Sequence, residues 1–123
     1  MRQALPLLLT LLVAALAYAT NAPAQFGAHP QWALTNLLIG GALGIATAFA
    51  AGFLPGPAFF RILGFTVLSG FFIWAAQVGG REFAASYGDD AQAGQLWYLG
   101  WIAAPAALAA LLYTATAWLV SQR

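Results

Sequence analysis

The sequence predicts an all-α integral membrane protein, a single transmembrane domain over residues 1–123. Four helices are expected in an antiparallel up-down bundle, with short loops and one longer outer loop between helices three and four. Three observations predict it. Hydrophobic residues make up 63% of the 123 positions and charged residues 6%, against roughly 45–50% and 25% in soluble domains, so such a chain would aggregate in water. The apolar residues fall into four runs, each about long enough to cross a hydrocarbon core of about 30 Å. Segments rich in Pro, Gly or charge separate the runs.

The first helix is expected over about residues 4–20, with Pro6 in its first turn, where a missing N–H costs little. Arg2, the apolar core and Ala22-Pro23-Ala24 also fit a cleavable signal peptide. An uncleaved helix is the expectation, since the stretch is present from Met1. Asn21 to Gln31, with two prolines and a glycine, reads as a loop. The second helix, about 32–54, carries no charge and is ended by Pro55-Gly56-Pro57, because proline restricts its predecessor and cannot continue the hydrogen-bond ladder. So short a turn predicts that the third helix, about 58–78, is its antiparallel neighbour. Gly79-Gly80 is expected to close the third helix.

The segment that follows, GGREFAASYGDDAQAGQ, is the only substantially polar one and carries Arg81, Glu82, Asp89 and Asp90. It is the expected long loop, with Phe83 and Tyr87 lying flat on the membrane as one amphipathic turn. The fourth helix is expected over about 91–120, with Asp89 and Gln92 at the spacing of a capping box. Pro105 within it should bend the helix and free a carbonyl near Trp101. No internal repeat is evident.

Orientation follows from arginine. With the N-terminus inside, Arg2, Arg61 and Arg123 are cytoplasmic and only Arg81 is outside, so the positive-inside bias places both termini in the cytoplasm of a cell inner membrane. Trp32, Trp74, Trp97 and Trp101 then gather with Tyr18 and Tyr98 at the outer interface, and Trp118, Phe53, Phe59 and Phe60 at the inner one. These read as two aromatic belts of membrane anchors.

Composition also excludes functions. The net charge is +1 and all four basic residues are Arg, so no basic tract exists for nucleic acid. Without Lys there is no Schiff-base chemistry, and without Cys there are no disulfides, thiolate metal sites or Cys nucleophile. Asp and Glu are absent from all four runs, which argues against proton-coupled transport.

The strongest positive feature is Gly40, Gly44, Ala48 and Gly52, four small residues spaced four apart in the second helix. On a helix they form a smooth groove that admits another backbone closely. Its occupant is either another helix of this bundle or a partner subunit or flat cofactor. Arg61, the one charge within a predicted run, reads as an anchor that snorkels to the headgroups, with an ion or substrate role as the rival. Asn36 and Gln77 are expected near the outer ends of neighbouring helices, placed to pair as interhelical glue. Thr35, Thr47, Thr66, Ser69, Thr114 and Thr116 are expected to bond to carbonyls one turn back. His29 reads as a solvated imidazole in the first outer loop; the sharper reading is a ligand for haem or chlorophyll, or for a metal shared with Glu82, Asp89 or Asp90. No metal site is expected.

Catalysis needs a nucleophile with a base, or paired carboxylates around a pocket, and neither is predicted. The sequence therefore points to a non-catalytic subunit that packs into an energy-transducing or transport complex. Its expected partners are other membrane subunits and lipids, and no intrinsic cofactor is predicted, though a lipid, quinone, carotenoid or chlorophyll-type pigment could be held. A small oligomeric channel or transporter with Asn36, Thr47, Ser69 and Gln77 along its path is the alternative. An independent lipid- or quinone-binding protein is the third reading.

Overall fold

The computed structural model describes residues 4–122, and Arg2 and Arg123, used above for orientation, lie outside them. The elements are α1 (Leu5–Thr20), α2 (Ala22–Gln25), α3 (Ala33–Ala51), α4 (Ala58–Ala85) and α5 (Ala91–Ser121). No strand occurs among the described residues. α3, α4 and α5 are long and apolar enough to cross a membrane, whereas α1 is a shorter apolar helix of 16 residues.

α5 is the hub. It packs extensively along α4 and α3 and more lightly along α1, while α3 and α4 share no substantial interface. The expectation that the Pro55-Gly56-Pro57 turn makes α3 and α4 packed neighbours is thereby corrected. Short loops constrain the ends of two helices, but the surfaces that fit are those with small residues, and α5 offers such residues to both. Gly40 meets Ile102 and Pro105, and Gly44 meets Ala106 and Ala109, so α3 and α5 run in the same direction. Gly79 meets Ala93 and Trp97 while Gly100 meets Ala76, so α4 runs against α5.

Two small cores result. One joins Ala28, Ala33, Ala76, Trp101 and Ala104; the other joins Ala48, Phe65 and Ala110. Alanine dominates both because close backbone approach and dispersion, not the expulsion of water, hold helices together in lipid.

The expected long outer loop is shorter than the sequence suggested. Gly79-Gly80 does not end the third helix, and α4 continues through Arg81 and Glu82 to Ala85. A Cβ added to Gly79 would stand 2.6 Å from the Trp97 amide nitrogen, and one on Gly80 would stand 2.8 Å from Trp97 Nε1. These glycines therefore serve a close helix crossing, a use that in sequence looks the same as a break. The true end is a Schellman motif: Gly88 N–H donates to Phe83 O at 3.0 Å and Tyr87 N–H to Ala84 O at 3.1 Å, with Tyr87 left-handed at φ 54°. Asp90, not Asp89, caps α5, its carboxylate accepting from Ala93 N–H at 3.0 Å.

Candidate functional site

The densest group of polar and aromatic side chains lies at the end of the bundle opposite the α3–α4 turn. The α2–α3 loop passes over α4 and α5 there, and two side chains pin it. Trp97 Nε1 donates to Gly27 O at 2.8 Å, and Gln77 Nε2 donates to Phe26 O at 3.2 Å. Gly27 has φ 115°, a conformation side-chain-bearing residues rarely adopt. His29 stacks on Trp32 with centroids 5.8 Å apart and meets Trp97 edge-on at 5.6 Å. Trp32 in turn meets Trp97 and Tyr98, each at 5.2 Å, and Phe83 lies 5.6 Å from Trp97. Beside this cluster an open cleft of about 790 Å³ is lined by His29, Trp32, Phe83, Trp97 and Tyr98 among others.

The chemistry of this cluster is that of a wedge. His29 Nδ1 accepts from Gln31 N–H at 3.0 Å, so the neutral ring carries its proton on Nε2. A ligating histidine has the reverse arrangement, donating from one nitrogen to a second-shell acceptor and leaving the other bare for the metal. Among the described residues no group of His, Asp and Glu could hold a metal ion.

The small-residue stripe is occupied from within. Gly40, Gly44 and Ala48 are buried, and the first two lie against α5 backbone so closely that neither has room for a Cβ. Such contacts bring Cα–H groups to carbonyl oxygens and supply weak hydrogen bonds besides dispersion. Gly52 does not belong to the groove: it is the exposed C-cap of α3 and meets only its own helix.

Asn36 and Gln77 do not pair. Asn36 is fully buried and its Nδ2 donates to Tyr98 O at 3.0 Å across the α3–α5 interface, while Gln77 reaches the loop. Because α5 separates α3 from α4, each amide meets a carbonyl nearer to it. Asn36 Oδ1 is a buried acceptor without a partner, and Trp101 Nε1 a buried donor without one.

Trp101 is not an interfacial anchor but a core residue, 4% exposed, packed among alanines of the loop, α3 and α4. Trp74 and Trp118 are exposed, and Trp32 and Trp97 are half-buried in the cluster. Phe83 and Tyr87 do not form one flat turn, since Phe83 packs on Trp97 while Tyr87 is 96% exposed. Of the six hydroxyls expected to bond one turn back, Thr47, Thr66, Ser69 and Thr116 donate to such a carbonyl at 2.7 Å, whereas Thr35 and Thr114 make no such bond among the described residues.

Sequence reasoning missed the α4–α5 seam, where Gly79 meets Ala93 and Trp97 and Gly100 meets Ala76. The signal was present as small residues near both helix ends, but the glycine pair looked like a terminator.

Inside the bundle, an apolar cleft of about 190 Å³ lies between α1, α2, α3 and α5, lined by Thr10, Phe26, Gly41, Trp101 and Pro105 among others. It is smaller than the roughly 300–1,000 Å³ usual for small-molecule sites. Comparisons with protein-family models, with curated proteins and with solved structures find no match.

Proposed function

We propose that this chain is a non-catalytic membrane subunit that assembles with another integral membrane protein, and that α4 is its principal docking helix. The observation that carries this reading is the one-sided support of α4. Within its apolar window 17% of residues are buried, against 39% in α5, and the face bearing Leu63, Val67, Phe71 and Trp74 is open. Gly64 and Gly70 have nothing within 4 Å of an added Cβ, although each glycine in a helix interior costs about 1 kcal/mol relative to alanine. A neighbouring helix would use that room.

Four membrane helices in an up-down arrangement, both termini in the cytoplasm of an inner membrane, complete the reading. Arg61 sits at one end of α4 and Arg81 at the other, beyond a charge-free stretch from Ile62 to Gly80 about 28 Å long. An enzyme is disfavoured because the Ser69 hydroxyl is engaged with Phe65 O and no acid or base accompanies it. As for a channel, Asn36, Thr47, Ser69 and Gln77 each bond to a backbone carbonyl and do not converge on one cleft. A quinone or pigment has only the outer surfaces of the bundle available to it, given the size of the internal cleft.

A photo-crosslinking residue placed at Val67 tests the proposal. The expected product is a stoichiometric adduct with one defined, unrelated membrane chain, absent when the crosslinker is moved to Leu8 on α1. Adducts with a second copy of this chain, or with lipid alone, overturn it.

A further inference from the structure

Arg61 opens a different question at the other end of the molecule. Arg61 is a half-buried residue that lines a cleft of about 370 Å³ whose other walls are mostly apolar, among them Ala48, Phe49, Phe53 and Trp118. Among the described residues its one hydrogen bond is a long one, from Nη1 to Gly56 O at 3.4 Å. Glu82, the acidic residue nearest along α4, stands about 30 Å away by helical rise, with Asp89 and Asp90 beyond it. The cation also occupies the first turn of α4, where the helix dipole is positive and opposes it. Both charges call for an anion.

The surroundings specify which kind. Arg61 borders the charge-free stretch of α4, which puts it at headgroup depth. Trp118, Phe59 and Phe60 are exposed at the same level. The cleft adjoins an open apolar groove of about 940 Å³, sharing Phe49, Tyr113, Ala117 and Ser121 with it. That groove follows α3 to Ala42 and reaches Leu7 of α1, a depth of about 10 Å along α3. A charged head beside an apolar channel matches an amphiphile with a phosphate and an acyl chain. We propose that the Arg61 cleft holds the phosphate of an anionic phospholipid, one acyl chain of which lies in the adjoining groove. This inference does not rest on the docking of α4.

The full chain, purified in mild detergent, is mixed with phosphatidylglycerol or with phosphatidylcholine of the same acyl chains, and retained lipid is read by native mass spectrometry. Wild type should favour phosphatidylglycerol by roughly fivefold, the factor one arginine near an anionic surface supplies. Arg61→Gln should abolish the preference, and Arg81→Gln should leave it. Equal retention of the two lipids by wild type, or an undiminished preference in Arg61→Gln, overturns the proposal. Displacement of the lipid by millimolar inorganic phosphate would assign the cleft to a free anion and overturn it as well. A measurement on wild type alone guards against misfolding of the variant: phosphatidylglycerol with a photoreactive acyl chain should label the peptides containing Ala46–Phe49 or Ala117–Ser121. Labelling spread evenly over the exposed faces of α1 and α4 counts against the site.

Discussion

Gly44 lies so close to the carbonyl of Ala106 that the oxygen fills the space where a Cβ would stand. This contact, repeated by Gly40 at Ile102, holds α3 on α5. Gly44→Ala should therefore cost about 1–3 kcal/mol, the usual range for forcing extra volume into a packed interface. Gly41→Ala is the control. Nothing lies within 4 Å of its added Cβ, so the better helix propensity of alanine should make it neutral or stabilising by up to about 1 kcal/mol. Denaturant titration in detergent, followed by circular dichroism, separates the two.

Asn36 and Gln77 provide a test of which helices touch. Asn36→Ala removes the bond to Tyr98 O and should cost about 1 kcal/mol, within the measured range for polar contacts between membrane helices. Gln77→Ala removes only a half-exposed tie to the loop and should cost less. Since the amides bond to different carbonyls, the double variant should be additive within about 0.5 kcal/mol. Coupling well above that would mean that they pair directly.

His29 should behave as packing. His29→Ala removes aromatic contacts with Trp32 and Trp97 and should lower stability by about 0.5–1.5 kcal/mol. Added haem or zinc should bind wild type and variant alike. A haem Soret shift or a zinc affinity that disappears in the variant would restore the ligand reading.

Tyr87 is strained where it stands. It holds a left-handed conformation that glycine adopts freely, and its side chain is almost fully exposed. Tyr87→Gly should stabilise the end of α4 by about 1 kcal/mol, visible as slower amide exchange over Phe83–Ala85.

The start of α5 distinguishes two adjacent acids. Asp90→Ala removes the cap on Ala93 N–H and should cost about 1 kcal/mol, while Asp89→Ala should be near neutral. Thermal unfolding of the two variants gives the order directly.

Much of the helical layout was legible because its signals are local. Apolar runs marked the helices, three of which are long and apolar enough to cross a membrane, Pro55-Gly56-Pro57 marked the end of α3 within a few residues, and Ala91 was already the expected start of α5. The errors share one cause. Gly79-Gly80 ends a helix in one context and seats a tryptophan in another, and the choice depends on Trp97, which is distant in sequence. Trp101 looked like its neighbours in the outer belt, yet Ala33 and Ala76 enclose it. Of the proposed site residues, Gly40 and Gly44 were recognisable as a close-packing surface, but nothing local distinguished a partner from α5.

The sequence by itself determined that the chain is helical, apolar and compatible with a membrane, since composition and hydrophobic run length act residue by residue. It also bounded the chemistry, because a missing lysine or cysteine is missing in any fold. Only the tertiary structure decided that α5 is the hub, that the glycine groove is filled from within, that α4 is supported on one side, and that Arg61 opens into a cleft continuous with an apolar groove. Those features depend on which small surfaces meet across the bundle, and in lipid, where no expulsion of water ranks one apolar face above another, shape complementarity between distant residues makes that choice.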